Sequence, residues 1–176
     1  MAVSSTDNAA YGDLYQWGRA TDGHELHTSA TTATLATTIS PGANTFVTNS
    51  TAPYDWTSAD SAGSSRVSAW NSGGTNRICP SGFSVPTEAE ITADTINVTT
   101  SATAFSSFLK IPVAGFRNRT NGALLFVGSA TYLWSRSAGG TGGTAGRYLY
   151  VGSSDASFGS SPRAFGFSVR CIGDKA

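Results

Sequence analysis

The stretch that decides the fold stands at residues 79–90 and runs Cys79-Pro80-Ser81-Gly82-Phe83-Ser84-Val85-Pro86-Thr87-Glu88-Ala89-Glu90. It places a cysteine and the turn signal Pro-Ser-Gly before a short apolar run and a helix start. Thr87 is the predicted N-cap, and Glu90 stands three residues later, where its carboxylate can reach back to the N–H of the cap residue. Glu88 and Glu90 also bring negative charge to the positive end of the helix dipole. The stretch therefore predicts a short helix that begins after Thr87.

The chain holds only one other cysteine, Cys171, which follows an apolar run near the end. We expect Cys79 and Cys171 to face each other and form a disulfide, because low charge with abundant Ser, Thr and Gly is typical of secreted proteins. The alternative is a pair of unrelated buried thiols, as in cytosolic proteins. A disulfide that closes so long a loop would stabilise the fold by about 4–5 kcal/mol in the chain-entropy model.

Charge is sparse in this chain, since 11 basic and 11 acidic residues among 176 give a formal net charge of zero. Nucleic-acid and membrane surfaces need clustered Lys and Arg, so the composition argues against a nucleic-acid partner and against membrane insertion. A hydrophobic content of 39% is enough for one domain with its own core. The first residues lack the pattern of a signal peptide. We expect an extracellular, cell-surface or virion protein, either part of a longer chain or exported by another route.

Alternating apolar and polar residues predict several short strands, most of them in the second half. One strand is expected within residues 11–19, and residues 110–117 and 123–128 form a hairpin around the turn signal Asn121-Gly122. Further strands are predicted at 132–136, 147–151 and 165–170, with the Gly-rich segment 138–143 as a flexible connector. Phe105, Phe108 and Leu109 suggest another turn of packed structure before the hairpin.

The first half is less regular. Residues 1–10 are small and polar, and we expect a flexible or linking segment there. Residues 28–50 form a Thr/Ala/Ser tract that predicts either an irregular excursion or a pair of exposed strands. Trp56 and Trp70 stand in surroundings typical of loops, where buried tryptophans can fix a segment that lacks regular hydrogen bonding.

Motifs spread over residues 11–174 give the chain a family resemblance. They are Tyr15-Gln16-Trp17-Gly18-Arg19, the stretch at 79–90, Leu109-Lys110, Pro112, Ala114-Gly115-Phe116-Arg117, Asn121-Gly122, Trp134-Ser135 and Gly166-Phe167-Ser168-Val169-Arg170-Cys171. In this order they resemble the Fibrobacter succinogenes major paralogous domain family. That family is similar to the broader C-type-lectin-like group, which includes the sulfatase-modifying factors.

The resemblance implies an α+β fold of C-type-lectin-like kind, with a small twisted antiparallel sheet, one or two short helices and long irregular loops. It implies a single domain over residues 11–176, with a Thr/Ser/Ala-rich insertion at about 28–76. It also implies extracellular use, in bacterial surface proteins and in phage tail-fibre tips. The chain departs from the family pattern at Ser84, where Arg is usual, and at Ile91, where Trp is frequent.

Catalytic chemistry finds no support in the sequence, and we predict that the chain is not an enzyme. His24 and His27 flank Glu25 and Leu26, but the Asp-Gly and Ser/Thr neighbours speak against the helix on which the two histidines would converge, so a polar loop is favoured over a metal site. No cofactor is predicted, and the calcium-dependent sugar motifs of lectins are not present, although a structural calcium stays an open question. Glu88 and Glu90 are better explained as helix-start charges than as a catalytic pair.

Two functions from different classes are compatible with the sequence. In the first, the domain is an adhesin-like or tail-fibre-tip module that binds a cell-surface glycan or protein, with ligand contacts from loops on a rigid scaffold. Rings and guanidinium groups, which are favoured at binding hot spots, mark the candidate ligand-binding residues: Arg117, Asn118, Arg119, Tyr132, Arg136, Arg147, Tyr148 and Arg163. Trp134 is better explained as a core residue. In the second, the domain is a structural subunit of a fibre or surface assembly that forms homo-oligomers through uncharged edge strands.

Overall fold

Short strands and a few short helices, joined by long irregular connections, form the architecture of the computed structural model, which describes residues 3–174. The helices are α1 (Ser64–Ala69), α2 (Glu88–Asp94) and α3 (Ser101–Ser106), and 3-10 turns lie at Asn8–Ala10 and Thr141–Gly143. The strands are β1 (Tyr15–Gln16), β2 (Thr31–Thr32), β3 (Phe46–Val47), β4 (Phe83–Ser84), β5 (Phe116–Arg117), β6 (Leu124–Leu125), β7 (Thr131–Gly139), β8 (Ala145–Val151), β9 (Ala156–Ser161), β10 (Gly166–Phe167) and β11 (Ile172–Gly173). The predicted mixed α+β class with few helices and small sheets is confirmed.

The strands are distributed over several small sheets. The first has the order β1-β10-β5-β6 and is antiparallel throughout, with Tyr15 opposite Phe167 and Phe116 opposite Leu125. The second is the meander β7-β8-β9, and two further pairs are formed by β4 with β11 and by β2 with β3. Because β1 pairs with β10, the first sheet joins the beginning of the chain to its end.

Helix α2 begins as the sequence predicts. The Thr87 hydroxyl accepts a hydrogen bond from the Glu90 N–H at 3.3 Å, and the Glu90 carboxylate accepts one from the Thr87 N–H at 2.7 Å. This reciprocal capping box satisfies two N–H groups that would otherwise lack partners at the helix start. Ile91 on the same helix is buried against Leu133 and Leu149, so α2 covers one face of the β7–β8 pair.

The predicted disulfide is present. Cys79 and Cys171 are joined with an S–S distance of 2.01 Å, across 92 residues of sequence. The bond lies next to the pair β4–β11, in which Ser84 stands opposite Ile172. A disulfide of this kind is typical of a non-cytoplasmic environment.

The four tryptophans are the largest members of the core, and each is at most 1% exposed. Every indole N–H donates to a backbone carbonyl: Trp17 to Ser135, Trp56 to Trp17, Trp70 to Arg19 and Trp134 to Tyr15. These bonds satisfy the one polar atom of each ring and tie irregular connections to the strands. Trp56 and Trp70, which the sequence places in loop-like surroundings, are thus anchors of the core.

Buried arginines alternate with two of these tryptophans. The guanidinium group of Arg66 lies 5.4 Å from the ring centroids of both Trp17 and Trp56. Arg19 lies 5.4 Å from Trp56, and Arg163 lies 4.7 Å from Trp17. The resulting order Arg19, Trp56, Arg66, Trp17, Arg163 is called the arginine–tryptophan stack below. All five side chains are fully buried.

The structure corrects several predictions of local structure. Residues 64–69 form helix α1, where a loop was expected, so there are three α-helices rather than one or two. The predicted strand at 110–117 is reduced to Phe116–Arg117, because Lys110 and Gly115 adopt positive φ angles of 49° and 69° that break an extended strand. Residues 156–161, expected in a loop, form the outer strand β9.

The Thr/Ala/Ser tract and the N-terminal segment are both tied to the rest of the domain. The tract contributes the parallel pair β2–β3, whose second strand is buried at Phe46 and Val47. In the N-terminal segment, Ser5 accepts a backbone hydrogen bond from Val113, and Asp7 caps the 3-10 turn at Asn8–Ala10. Residues 1–2 of the predicted flexible segment, and the last two residues of the predicted domain, lie outside the described residues.

Candidate ligand-binding face

Strands β7 and β8 place three tyrosines on the same face of their sheet. Side chains two residues apart on a strand point the same way, and the register sets Tyr132 opposite Tyr150 and Trp134 opposite Tyr148. The Tyr132 ring lies 5.4 Å from Tyr150 and 6.0 Å from Tyr148, centroid to centroid. Trp134 is buried in the core, whereas the three tyrosines are half-buried. The core is therefore continuous with a partly exposed row of rings.

Phenylalanines of the first sheet extend this row. Phe116 on β5 lies 4.7 Å from the Tyr132 ring, and Phe126, just after β6, lies 5.9 Å from Phe116. Phe126 is 57% exposed and has a φ of 56°, an uncommon angle for a residue of this size. The turn after β6 thus holds a phenyl ring at the surface beside the tyrosines.

An arginine completes the face on its other side. Phe165 lies 5.5 Å from Phe116, and the Arg119 guanidinium group lies 5.5 Å from the Phe165 ring and 4.0 Å from the Tyr54 ring. One Arg119 nitrogen donates to the Asn49 carbonyl at 2.7 Å, while its Nε is buried without a hydrogen-bond partner among the described residues. Rings and guanidinium thus form one connected surface, called the aromatic face below: Tyr54, Phe116, Arg119, Phe126, Tyr132, Tyr148, Tyr150 and Phe165.

Two tyrosines of the aromatic face, Tyr132 and Tyr148, are held in the neutral form by their surroundings. Burial is the main cause that raises the pKa of Tyr132, and the neighbouring Tyr150 and Tyr148 add to it. Burial likewise raises the pKa of Tyr148. Neutral phenol groups can donate and accept hydrogen bonds while their rings provide apolar contact. Because these two phenol groups are uncharged, the face can bind a ligand that combines polar groups with a ring or another apolar surface.

Three of the predicted ligand-binding residues, Arg119, Tyr132 and Tyr148, come together on the aromatic face. Arg136 and Arg147 lie instead beside helix α2. Arg147 forms two hydrogen bonds to the Glu88 carboxylate at 2.6 and 2.7 Å, and Arg136 donates to the Val85 carbonyl at 2.9 Å. Both guanidinium groups hold the helix to β7 and β8, so they act in the scaffold.

Asn118 lies at the β5–β6 turn, where its side-chain oxygen accepts a hydrogen bond from the Thr120 N–H at 2.9 Å. This bond gives Asn118 a local role in shaping the turn that carries Arg119.

Arg117 and Arg163 are corrections to the predicted site, because both are buried. Arg163 is 0% exposed and donates to the Ser61 carbonyl at 2.8 Å, beside Asp55. Arg117 is 3% exposed, lies 4.4 Å from the Phe46 ring and donates to the Gly122 carbonyl at 2.9 Å. Neither guanidinium group is available to a ligand at the surface.

Five rings of the aromatic face were not predicted from the sequence, namely Tyr54, Phe116, Phe126, Tyr150 and Phe165. Tyr150 could have been found, because it follows Tyr148 at the two-residue spacing of a strand. Phe116, Phe126 and Phe165 carried no such signal, since they lie on three separate segments that only the tertiary fold brings together.

Asp22, His24 and Glu25 form the one group of potential metal ligands found among residues 3–174. His24 Nδ1 donates to Asp22 at 2.6 Å, and His24 Nε2 accepts a hydrogen bond from the Gln16 N–H at 3.0 Å. Burial, the largest cause, lowers the pKa of His24, which favours the neutral ring that these two bonds require. The side chains of this group are thus engaged in holding the predicted polar loop to β1.

Comparison with known proteins leaves the domain without a match: no protein-family model, no curated protein and no solved structure is similar to it. The resemblance to the paralogous domain family therefore stays a prediction. Among residues 3–174, no helix is long and apolar enough to span a membrane.

Proposed function

We propose that the domain is a non-catalytic extracellular recognition module that binds a cell-surface glycan or protein through the aromatic face. The observation that carries the proposal is the continuous row of partly exposed rings from Phe126 through Tyr132 to Tyr150. Tyrosine is enriched at binding hot spots, because its rigid ring offers a large contact area at low cost in conformational entropy. The resemblance to domains of bacterial surface proteins and tail-fibre tips supports the same role.

The scaffold under the face suits recognition. Trp134 stacks on Phe167 with a centroid distance of 4.2 Å, and Phe167 in turn contacts Tyr132 and Tyr148. The tyrosines therefore rest on a rigid base, which limits the entropy lost when a ligand binds.

The test is a binding screen with matched variants. The purified domain, made multivalent on a streptavidin tetramer, is applied to a glycan array and to intact bacterial cells. We expect binding that Tyr150→Ser and Phe126→Ser each reduce by at least about tenfold, which corresponds to one hot-spot side chain. Ile96→Ser is the control, because Ile96 is 81% exposed but is not part of the face. Binding that survives both ring substitutions, or the absence of binding to every array and cell, would contradict the proposal.

A second candidate function is self-association in a fibre or surface assembly, favoured by strand β6. It is the outermost strand of its sheet, and Leu124, Leu125 and Val127 are 39%, 38% and 46% exposed. An apolar edge strand without charge is a template for pairing with another chain. If this function is correct, sedimentation of the purified domain should show oligomers, and the Leu124→Lys variant should not form them. A domain that stays monomeric at every concentration would argue against assembly.

A further inference from the structure

A groove of about 580 Å³ lies outside the aromatic face, and its volume is within the range of small-molecule sites. It lies where the 3-10 turn at Asn8–Ala10 passes the connection after α3. Three of its lining residues carry the argument, namely Phe108, Lys110 and Arg170. None of the residues that line the groove belongs to the aromatic face.

Two cations line the groove without acidic partners. Neither Lys110 nor Arg170 has a carboxylate of the described residues within 4.0 Å, whereas most other arginines of the chain are paired or bonded to several carbonyls. Asp7 also lines the groove, but its carboxylate accepts the N–H groups of Val3 and Ala9 at 3.0 and 3.2 Å. The lining of the groove therefore carries two cations and one carboxylate, and an anion there would meet a net positive charge.

Arg170 is also partly removed from water. Its guanidinium group donates to the backbone carbonyl of Lys110 at 3.1 Å, which fixes Arg170 beside the segment that carries Lys110. Burial lowers the pKa of Arg170, so an anion beside it would restore part of the lost solvation.

A smaller cavity of about 90 Å³ adjoins the groove and shares Ala10 and Arg170 with it. Ser168 lines this cavity, is 8% exposed, and has a hydroxyl that finds no hydrogen-bond partner among residues 3–174. A buried hydroxyl without a partner is costly, so this cavity calls for a polar group or an ordered water.

The third component is an exposed ring at the mouth of the groove. Phe108 is 73% exposed, which is unusual for a phenylalanine in a chain that buries its four tryptophans. A flat apolar ring next to two cations suits a ligand with a flat, partly apolar body and a negative charge.

From these observations we infer that the groove is a second binding site, specific for a carboxylate-bearing saccharide such as a uronic acid residue. The carboxylate binds between Lys110 and Arg170, the sugar ring contacts Phe108, and a ligand hydroxyl or its bound water reaches toward Ser168. A saccharide is favoured over an acidic peptide because the site combines an open aromatic ring with an unsatisfied hydroxyl in a small adjoining cavity.

The experiment uses the unaltered domain and two matched ligands, trigalacturonate and its trimethyl ester, titrated at low salt by calorimetry and by amide chemical shifts. Low salt is needed because screening weakens contacts at exposed charges. We expect the acid to bind at least about tenfold more tightly than the ester, a difference typical of a charge-assisted contact. The shifts should centre on the segment with Phe108 and Lys110. Equal affinity for acid and ester would overturn the inference.

Variants then locate the site. Lys110→Gln should weaken trigalacturonate binding about tenfold, and Phe108→Ser should weaken it several-fold. Arg77→Gln is the matched control, since Arg77 is an exposed arginine without an ion pair among the described residues. If the Lys110→Gln variant binds trigalacturonate with unchanged affinity, the placement of the site in this groove is wrong. If the tripeptide Glu-Glu-Glu binds more tightly than trigalacturonate, the inference of a saccharide ligand is wrong and an acidic protein partner is indicated. Binding at this groove is independent of Tyr150 and Phe126, so failure here leaves the proposed function of the aromatic face intact.

Discussion

At the scale of single residues, one carboxylate, Asp55, compensates two of the three arginines of the arginine–tryptophan stack. Asp55 accepts hydrogen bonds from both terminal nitrogens of Arg66 at 2.7 Å and one from Arg163 at 3.3 Å, all in the buried interior. A second carboxylate, Asp60, lies 3.3 Å from the Arg66 Nε. Because the guanidinium groups are shielded from water, they depend on these carboxylates for compensation of their charge.

Neutralising Asp55 should therefore destabilise the domain strongly. We expect Asp55→Asn to lower the free energy of unfolding by about 3–5 kcal/mol, because it leaves Arg66 and Arg163 as poorly compensated buried charges. Urea denaturation followed by tryptophan fluorescence measures the change. Asp155→Asn is the control, since Asp155 is exposed and should change stability by less than about 0.5 kcal/mol. Equal stability of the two variants would show that the stack does not need Asp55.

The stack also marks where sequence reasoning fails at this scale. Arg163 looks like a surface residue in the sequence, and its partner Asp55 stands 108 residues away. A contact between such distant residues leaves no periodic or local pattern in the chain. Buried polar groups are therefore found only once the tertiary structure is known.

At the scale of elements, residue spacing predicted the structures whose hydrogen bonds join residues close together in the chain. The capping box at Thr87 and Glu90 and the hairpin β5–β6 both follow from residues a few positions apart. Helix α1 was missed because it starts after Gly63, which gives no side-chain cap. The aromatic face was foreseen only in part, since its rings come from several strands and turns.

Helix α2 should make stability depend on pH through Glu88. Hydrogen bonds from Arg147 are the main cause that lowers the pKa of Glu88. The stabilisation that the Glu88–Arg147 pair contributes is thus complete above the ordinary glutamate pKa. It is lost as the pH falls through the lowered pKa that Glu88 has in the folded state. Since the pair is partly exposed, we expect Glu88→Gln to cost about 0.5–1 kcal/mol near pH 7.

The measurement is urea denaturation of the parent and the Glu88→Gln variant across acid pH. The difference in stability should shrink towards zero at a pH below the lowered pKa of Glu88, where its carboxylate becomes protonated. A difference that stays constant down to that pH would mean that the variant acts through packing, not through the ion pair. Asp155→Asn again serves as the control, because Asp155 is exposed and is not among the hydrogen-bond partners of Arg147.

At the scale of the whole molecule, the disulfide links two segments that the sheets already bring together. Removal of the bond by reduction, or by Cys79→Ala with Cys171→Ala, should lower the free energy of unfolding by about 2–5 kcal/mol, chiefly because the unfolded chain gains freedom. Guanidinium denaturation with and without dithiothreitol measures it. The double variant should be insensitive to dithiothreitol, and a parent protein whose midpoint does not move on full reduction would contradict the expectation.

The pairing of β1 with β10 has a consequence for how the protein is made. Tyr15 and Trp17 are synthesised long before their partners, Phe167 and the Arg163 carbonyl. A nascent chain must therefore carry this segment unpaired until residues 163–167 have been synthesised. Folding dominated by such distant contacts is slow and leaves apolar surface open to aggregation. A cell that produces this domain has reason to keep holdase chaperones close to the ribosome.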